Sequence, residues 1–142
     1  MLFGTEPVRV EASLVRDPTS GVDVLTSGLL EFDQGVATFT CAIRAESDQR
    51  VHVYGTDGRI SVGIPFNIPP DRPTQVFLTS GGDPPVDPNT EVLTFETADP
   101  YTVEAERFAD AILDDGPTPT PPEDAIANLR VIERIFQAAE RG

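Results

Sequence analysis

The sequence predicts an α+β domain: an open, mostly antiparallel β-sheet with two C-terminal helices packed on one face. Three observations carry this. Up to residue 97, short runs alternate apolar and polar residues and are separated by Gly-, Pro- and Asp-rich turns. After Pro100 the apolar spacing becomes helical. Between the two regimes lies RVHVYGTDGRISVGIPF, where an Asp57-Gly58 pair flanked by alternating residues is a strong hairpin signal. At 142 residues the chain reads as a single domain, 1–142. That length buries roughly 70% of the unfolded surface around one core.

The elements follow in order. Residues 7–15 alternate Val8, Val10, Ala12 and Leu14 against Arg9, Glu11 and Ser13, which predicts a first strand ended by the turn Asp17-Pro18-Thr19-Ser20-Gly21. A second strand over 23–32 turns at Asp33-Gln34-Gly35 into a third over 36–45. In the central hairpin, a loop of only Asp57 and Gly58 pairs Thr56 with Arg59, Val53 with Val62 and Val51 with Ile64, and a type I′ turn asks for positive φ at Gly58. Pro65, Pro69, Pro70 and Pro73 keep the next stretch irregular before strands over 74–79 and 91–97, which flank a Gly/Pro-rich loop at 80–89. Tyr101, Ala105, Phe108 and Ile112 then recur at helical spacing, with Asp99 as N-cap, Pro100 at the first position and Gly116 beyond the end. A second helix starts at Thr120-Pro121 with Glu123 at capping-box spacing and carries the stripe Leu129, Ile132, Phe136 and Ala139.

Alternation splits the strands into two faces. Phe39, Cys41, Ile43, Val51, Val53, Ile60 and Val62 make one that suits a core, with Cys41 as a small buried hydrophobe. Thr38, Thr40, Ala42, His52, Tyr54 and Ser61 make the other, too sparsely charged for open water and too polar for a second core. Small, hydroxyl and aromatic residues suit a protein–protein interface, and these six are the interface candidates.

The net charge is −14, and all ten basic residues are arginine. An acidic chain without a basic stripe repels phosphate backbones and anionic lipid heads, so no nucleic acid and no membrane surface is expected as a partner. The sequence has no long apolar run and no basic-then-apolar leader, which with one unpaired cysteine fits a cytoplasmic protein. Local patterns that resemble chemistry are weak. Gly55-Thr56-Asp57-Gly58 opens no helix, His52 and Tyr54 share a strand face without being forced into contact, and Asp110, Asp114 and Asp115 have no His or Cys at metal-ligand spacing. Asp83, Asp87 and Asn89 form no EF-hand pattern. The residues by themselves assign no catalytic, cofactor-binding or metal site.

Phe3-Gly4-Thr5-Glu6-Pro7-Val8 before a strand, Gly21-Val22-Asp23 ahead of Leu29-Leu30-Glu31-Phe32, Gly55-Thr56-Asp57-Gly58-Arg59-Ile60 and Pro65-Phe66 resemble the C-terminal domain of the Gfo/Idh/MocA oxidoreductases. Tyr101, Glu104, Phe108, Ala109 and Ala111-Ile112, then Pro121, Glu123-Asp124-Ala125, Asn128 and Val131-Ile132, resemble that family's closing helices in order and spacing. The nearest branch is that of the NADP-dependent sugar and dihydrodiol dehydrogenases. The resemblance implies a substrate-side and oligomerisation domain, a homodimer through the outer sheet face, and sugar-like or cyclic polyol substrates. It also implies NAD(P) held by an N-terminal Rossmann domain that is missing here or separate. The family's catalytic lysine has no counterpart, because the sequence contains no lysine. No catalytic residue carries over, and the chain alone is expected to bind no cofactor and to be inactive. An excised or truncated domain, or a gene product starting at this boundary, fits that pattern. The alternative is a stand-alone, non-enzymatic module that dimerises or binds a small ligand.

Overall fold

The computed structural model describes residues 2–81 and 89–141. Seven strands precede two helices: β1 (Arg9–Arg16), β2 (Asp23–Phe32), β3 (Gly35–Ala42), β4 (Val51–Tyr54), β5 (Arg59–Val62), β6 (Thr74–Thr79), β7 (Thr90–Phe95), α1 (Pro100–Leu113) and α2 (Pro122–Arg141). All strand pairings are antiparallel and the helices come last, so the class is α+β as the pattern predicted. The strands divide into a three-stranded sheet, β1-β2-β3, and a four-stranded one, β4-β5-β6-β7. The chain correspondingly forms two compact units, Met1–Glu46 with Thr120–Gly142, and Ser47–Pro119.

In the first unit α2 packs against β1. Val10, Ala12 and Leu14 are half-buried while Arg9, Glu11 and Ser13 between them are exposed, the period-2 pattern of a strand covered on one face. Arg134 of α2 donates to the carbonyls of Pro7 and Val8 at 2.6 and 3.3 Å, tying the helix to the chain entering β1. On β2, Gly28 lies opposite Phe39 of β3. A Cβ at position 28 would stand 2.6 Å from the Phe39 ring and 3.0 Å from the Glu11 carbonyl, so the ring covers the space that glycine leaves. The β1–β2 turn is built on Asp17. This buried carboxylate accepts from the backbone N–H groups of Thr19 and Ser20 at 2.9 and 2.8 Å and pairs with Arg44 at 2.5 Å. Those bonds, the Ser20 and Thr19 amides foremost and then Arg44, hold its carboxyl below the usual carboxylate range.

In the second unit the central hairpin departs from the expected register. Val51 pairs with Val62, Val53 with Ile60 and Tyr54 with Arg59, two residues from the Val53–Val62 pairing that a two-residue loop requires. Residues 55–58 all lie in the loop, closed by a bond from the Gly55 N–H to the Gly58 carbonyl at 2.8 Å. A shift of two preserves the faces, so the alternation could not detect it. Gly58 is also not among the positive-φ glycines, which are Gly4, Gly21 and Gly81 among the described residues. Its requirement is spatial instead: a Cβ there would overlap the Thr79 carbonyl of β6 and stand 3.3 Å from the Ser80 Cα.

Asp99 caps α1 as expected, its side chain accepting from the Tyr101 N–H at 3.0 Å with Pro100 in the first turn. The helix ends with the Gly116 N–H on the Ala111 carbonyl at 2.9 Å, and the residue that turns left-handed is Asp115, φ 48°, not the glycine. α2 begins at Pro122, one residue after the expected first position.

The expected core is thinner than the pattern implied. No hydrophobic side chain is fully buried among the described residues, and the α1 stripe of Tyr101, Phe108 and Ile112 is exposed. Cys41 is exposed too, its thiol directed at the Thr26 carbonyl, because β3 is an edge strand whereas α2 lies over β1. Ile43, expected in the same row, lies past the end of β3 and is 73% exposed. Within the 80–89 loop, Asp83 and Asp87 lie outside the described residues.

Candidate interaction faces

The six interface candidates fall on two sheet faces, one in each unit. On β3, Thr38, Thr40 and Ala42 share the exposed side. Antiparallel pairing sets Leu29 opposite Thr38, Ser27 opposite Thr40 and Leu25 opposite Ala42. The Ser27 and Thr40 hydroxyls bond at 2.9 Å across the strands. One end of this face is ionic, where Arg9 donates to Glu31 at 2.6 Å and Glu11 at 2.5 Å; the Glu31 hydrogen bond, then the charges of Glu11 and Glu31, hold the guanidinium above its usual value. The other end is apolar, with Leu25 and Val15 exposed. Charge at one end, hydroxyls in the middle and aliphatic surface at the other give the face a direction.

In the second unit His52 lies opposite Ser61, with Nδ1 and Oγ 3.0 Å apart, and the His52 and Tyr54 rings are 6.1 Å apart at 34°. The shared face predicted for His52, Tyr54 and Ser61 is therefore present despite the register change. Two contributors were missed. β6 sets Phe77 opposite Ser61, and β7 sets Val92 opposite Phe77, which adds apolar surface 37% and 46% exposed to the same face. Alternation in TQVFLT separates Gln75, Phe77 and Thr79 from Thr74, Val76 and Leu78, but which set joins His52 is decided only by the β5–β6 register. The face also holds Arg59 and Thr94.

Open hollows occur in both units, and two of them are lined by largely apolar residues. One of about 930 Å³ in the second unit has walls that include Ile64, Ile68, Phe95 and Val103. The other, about 370 Å³ in the first unit, lies beside Phe3 and Phe32, whose rings stack at 4.2 Å, with Asp124 and Asn128 at its edge. Neither fits a dinucleotide. A Rossmann domain holds the dinucleotide pyrophosphate on a glycine turn between a strand and a helix N-terminus. Here α1 follows Thr97-Ala98-Asp99 and α2 follows Thr120-Pro121, so neither described helix opens on such a turn. Among the described residues no cluster of three or more His, Cys, Asp or Glu could hold a metal ion, and no helix is long and apolar enough to cross a membrane.

Known proteins match this arrangement along its length. The family model described as the oxidoreductase family, C-terminal alpha/beta domain, matches residues 1–142. An uncharacterised oxidoreductase of Rhizobium meliloti, ORF334, is 35% identical over 100% of this chain, and D-xylose 1-dehydrogenase (NADP(+)) 2 of Haloferax volcanii is 32% identical over 99%. The chain spans only 42% of the length of each. Two solved structures share the fold: the Bacillus subtilis protein yvaA, with a TM-score of 0.66 at 15% identity, and the Yersinia pestis protein YPO2259, with 0.68 at 16%. Each is covered over 44% of its chain, by 99% of this one. The chain belongs to the Gfo/Idh/MocA oxidoreductase family, as its C-terminal alpha/beta domain.

Proposed function

We propose that this chain is the substrate-side and self-association domain of an NAD(P)-dependent oxidoreductase acting on sugar-like or cyclic polyol substrates, and that it is inactive by itself. The observation that carries the reading is end-to-end likeness, at 32% identity, to part of a D-xylose 1-dehydrogenase (NADP(+)). The residues described above include no pyrophosphate cradle, so the nucleotide is held by another domain. The two sheet faces are the surfaces a second copy covers. An isologous contact buries each face against its own equivalent and covers the exposed Tyr54 ring.

One experiment tests the catalytic part. The purified chain is titrated with NADPH and assayed with NADP⁺ and D-xylose, alone and then joined to the nucleotide-binding portion of the xylose dehydrogenase. No binding and no turnover alone, with turnover in the chimera, is the expected result. Micromolar NADPH binding by the chain alone refutes the reading. Light scattering after size exclusion tests association: a dimer converted to monomer by Thr40→Glu is expected, and a monomer at every concentration refutes it.

A further inference from the structure

We infer that the C-terminal half of α1 is a salt-sensitive switch, which opens at low ionic strength and closes as the carboxylates along it are screened. Residues 96–115 carry seven carboxylates and one arginine, Arg107. Glu106, Asp110 and Asp114 follow one another at a spacing of four, so they form a row down one side of the helix, and all three are exposed. Side chains at that spacing lie about 5–6 Å apart, and like charges there oppose the helix. The row also runs toward the unfavourable pole. Asp110 lies in the last turn, Asp114 is the C-cap and Asp115 follows it, where unbonded carbonyls already concentrate negative charge, and no basic residue stands in that turn. Arg107, one turn before Asp110, offsets only part of the row.

Little packing holds this half. No side chain of α1 is buried, Phe108, Ile112 and Leu113 are each more than half exposed, and a helix of 14 residues is marginal in water without tertiary support. The N-terminal end differs, because Asp99 accepts from the Tyr101 N–H at 3.0 Å and places its charge at the favourable pole. Opening is therefore confined to the last two turns. α2 is built in the opposite sense, with Glu123 and Asp124 in its first turn and Arg141 in its last, so screening removes support from its ends. The Debye length falls from about 30 Å at 10 mM salt to about 3 Å at 1 M, from well beyond the spacing of the α1 row to below it. Added salt lowers the opening constant of the last two turns of α1 by about tenfold and does not tighten α2. The stripe of Tyr101, Phe108 and Ile112 is continuous only while both halves are helical, so ionic strength sets how much of it the chain presents.

The test is amide exchange along both helices of the full chain in 10 mM and 1 M KCl at one pH, with intrinsic rates taken from the urea-unfolded chain at each salt, beside the double variant Asp110→Asn/Asp114→Asn. The expected result is about tenfold less opening at the amides of Ala109 to Leu113 in 1 M KCl for the parent, a change under about threefold for the double variant, and no such gain along α2. A gain of the same size along α2 assigns the effect to the net charge of −14 and overturns the local switch. A double variant that responds as the parent does overturns it as well. So do α1 amides that exchange at the intrinsic rate in both salts, or equally slowly in both.

Discussion

Replacing Gly58 with alanine tests the central hairpin most directly. The glycine sits in the β4–β5 loop immediately before Arg59, whose partner on β6 is Thr79. A methyl group there overlaps the Thr79 carbonyl and stands 3.3 Å from the Ser80 Cα, and both are backbone atoms that no rotamer change can move. Relief requires parting β5 from β6 at its first rung. Overpacking against fixed structure costs about 1–3 kcal/mol, and a weakened ladder bond adds about 1 kcal/mol. The reduced freedom of the unfolded chain returns about 0.4–1 kcal/mol. The net expectation is a loss of about 2 kcal/mol, which for a unit of this size corresponds to a fall in melting temperature of roughly 8–16 °C. Urea and thermal denaturation measure it, and amide exchange at Arg59 and Ile60 localises it. Gly63→Ala is the control, since a Cβ at Gly63 meets nothing within 4 Å. If Gly58→Ala matches the control or stabilises the chain, the close approach of the loop to β6 is not as described.

Asp115→Gly should stabilise α1 by about 1 kcal/mol in urea denaturation, because a left-handed residue with φ 48° carries a Cβ penalty and a negative charge at a helix C-terminus; an unchanged midpoint refutes that end geometry. Asp17 has its folded carboxyl held below the usual value, so its contribution is present above the unfolded value and is lost as pH falls below about 4. Calorimetry should therefore show Asp17→Asn melting below the parent at pH 7, with the gap narrowing as the pH is lowered from 5 towards 2; a gap that does not narrow contradicts the linkage. Arg134→Met should cost about 1.5–3 kcal/mol, since it leaves the Pro7 and Val8 carbonyls without a charged donor. Faster amide exchange along β1 reports the loss, and unchanged exchange refutes the tie.

What the sequence determined by itself is local. Strand alternation, the period change at Pro100, and the Asp99-Pro100 cap depend on neighbours within a few residues, and each appears where expected, with the bounds of β2 and β6 matching to the residue. Alternation also placed His52, Tyr54 and Ser61 on one face, because face membership survives an even shift of register. The register itself was not legible. Asp57-Gly58 specifies a tight loop only if nothing outside the hairpin intervenes, and here the loop approaches β6, whose contact with position 58 lies more than twenty residues along the chain. For the same reason Phe77 and Val92 could be read as strand residues but not as members of the His52 face, which only the pairing of β5 with β6 and of β6 with β7 decides. Burial was decided there as well. Cys41 and Ile43 have the hydrophobicity of core residues, yet α2 lies over β1 while Cys41 is on β3 and Ile43 beyond its end, and hydrophobicity alone does not say which strands of a sheet a helix will cover.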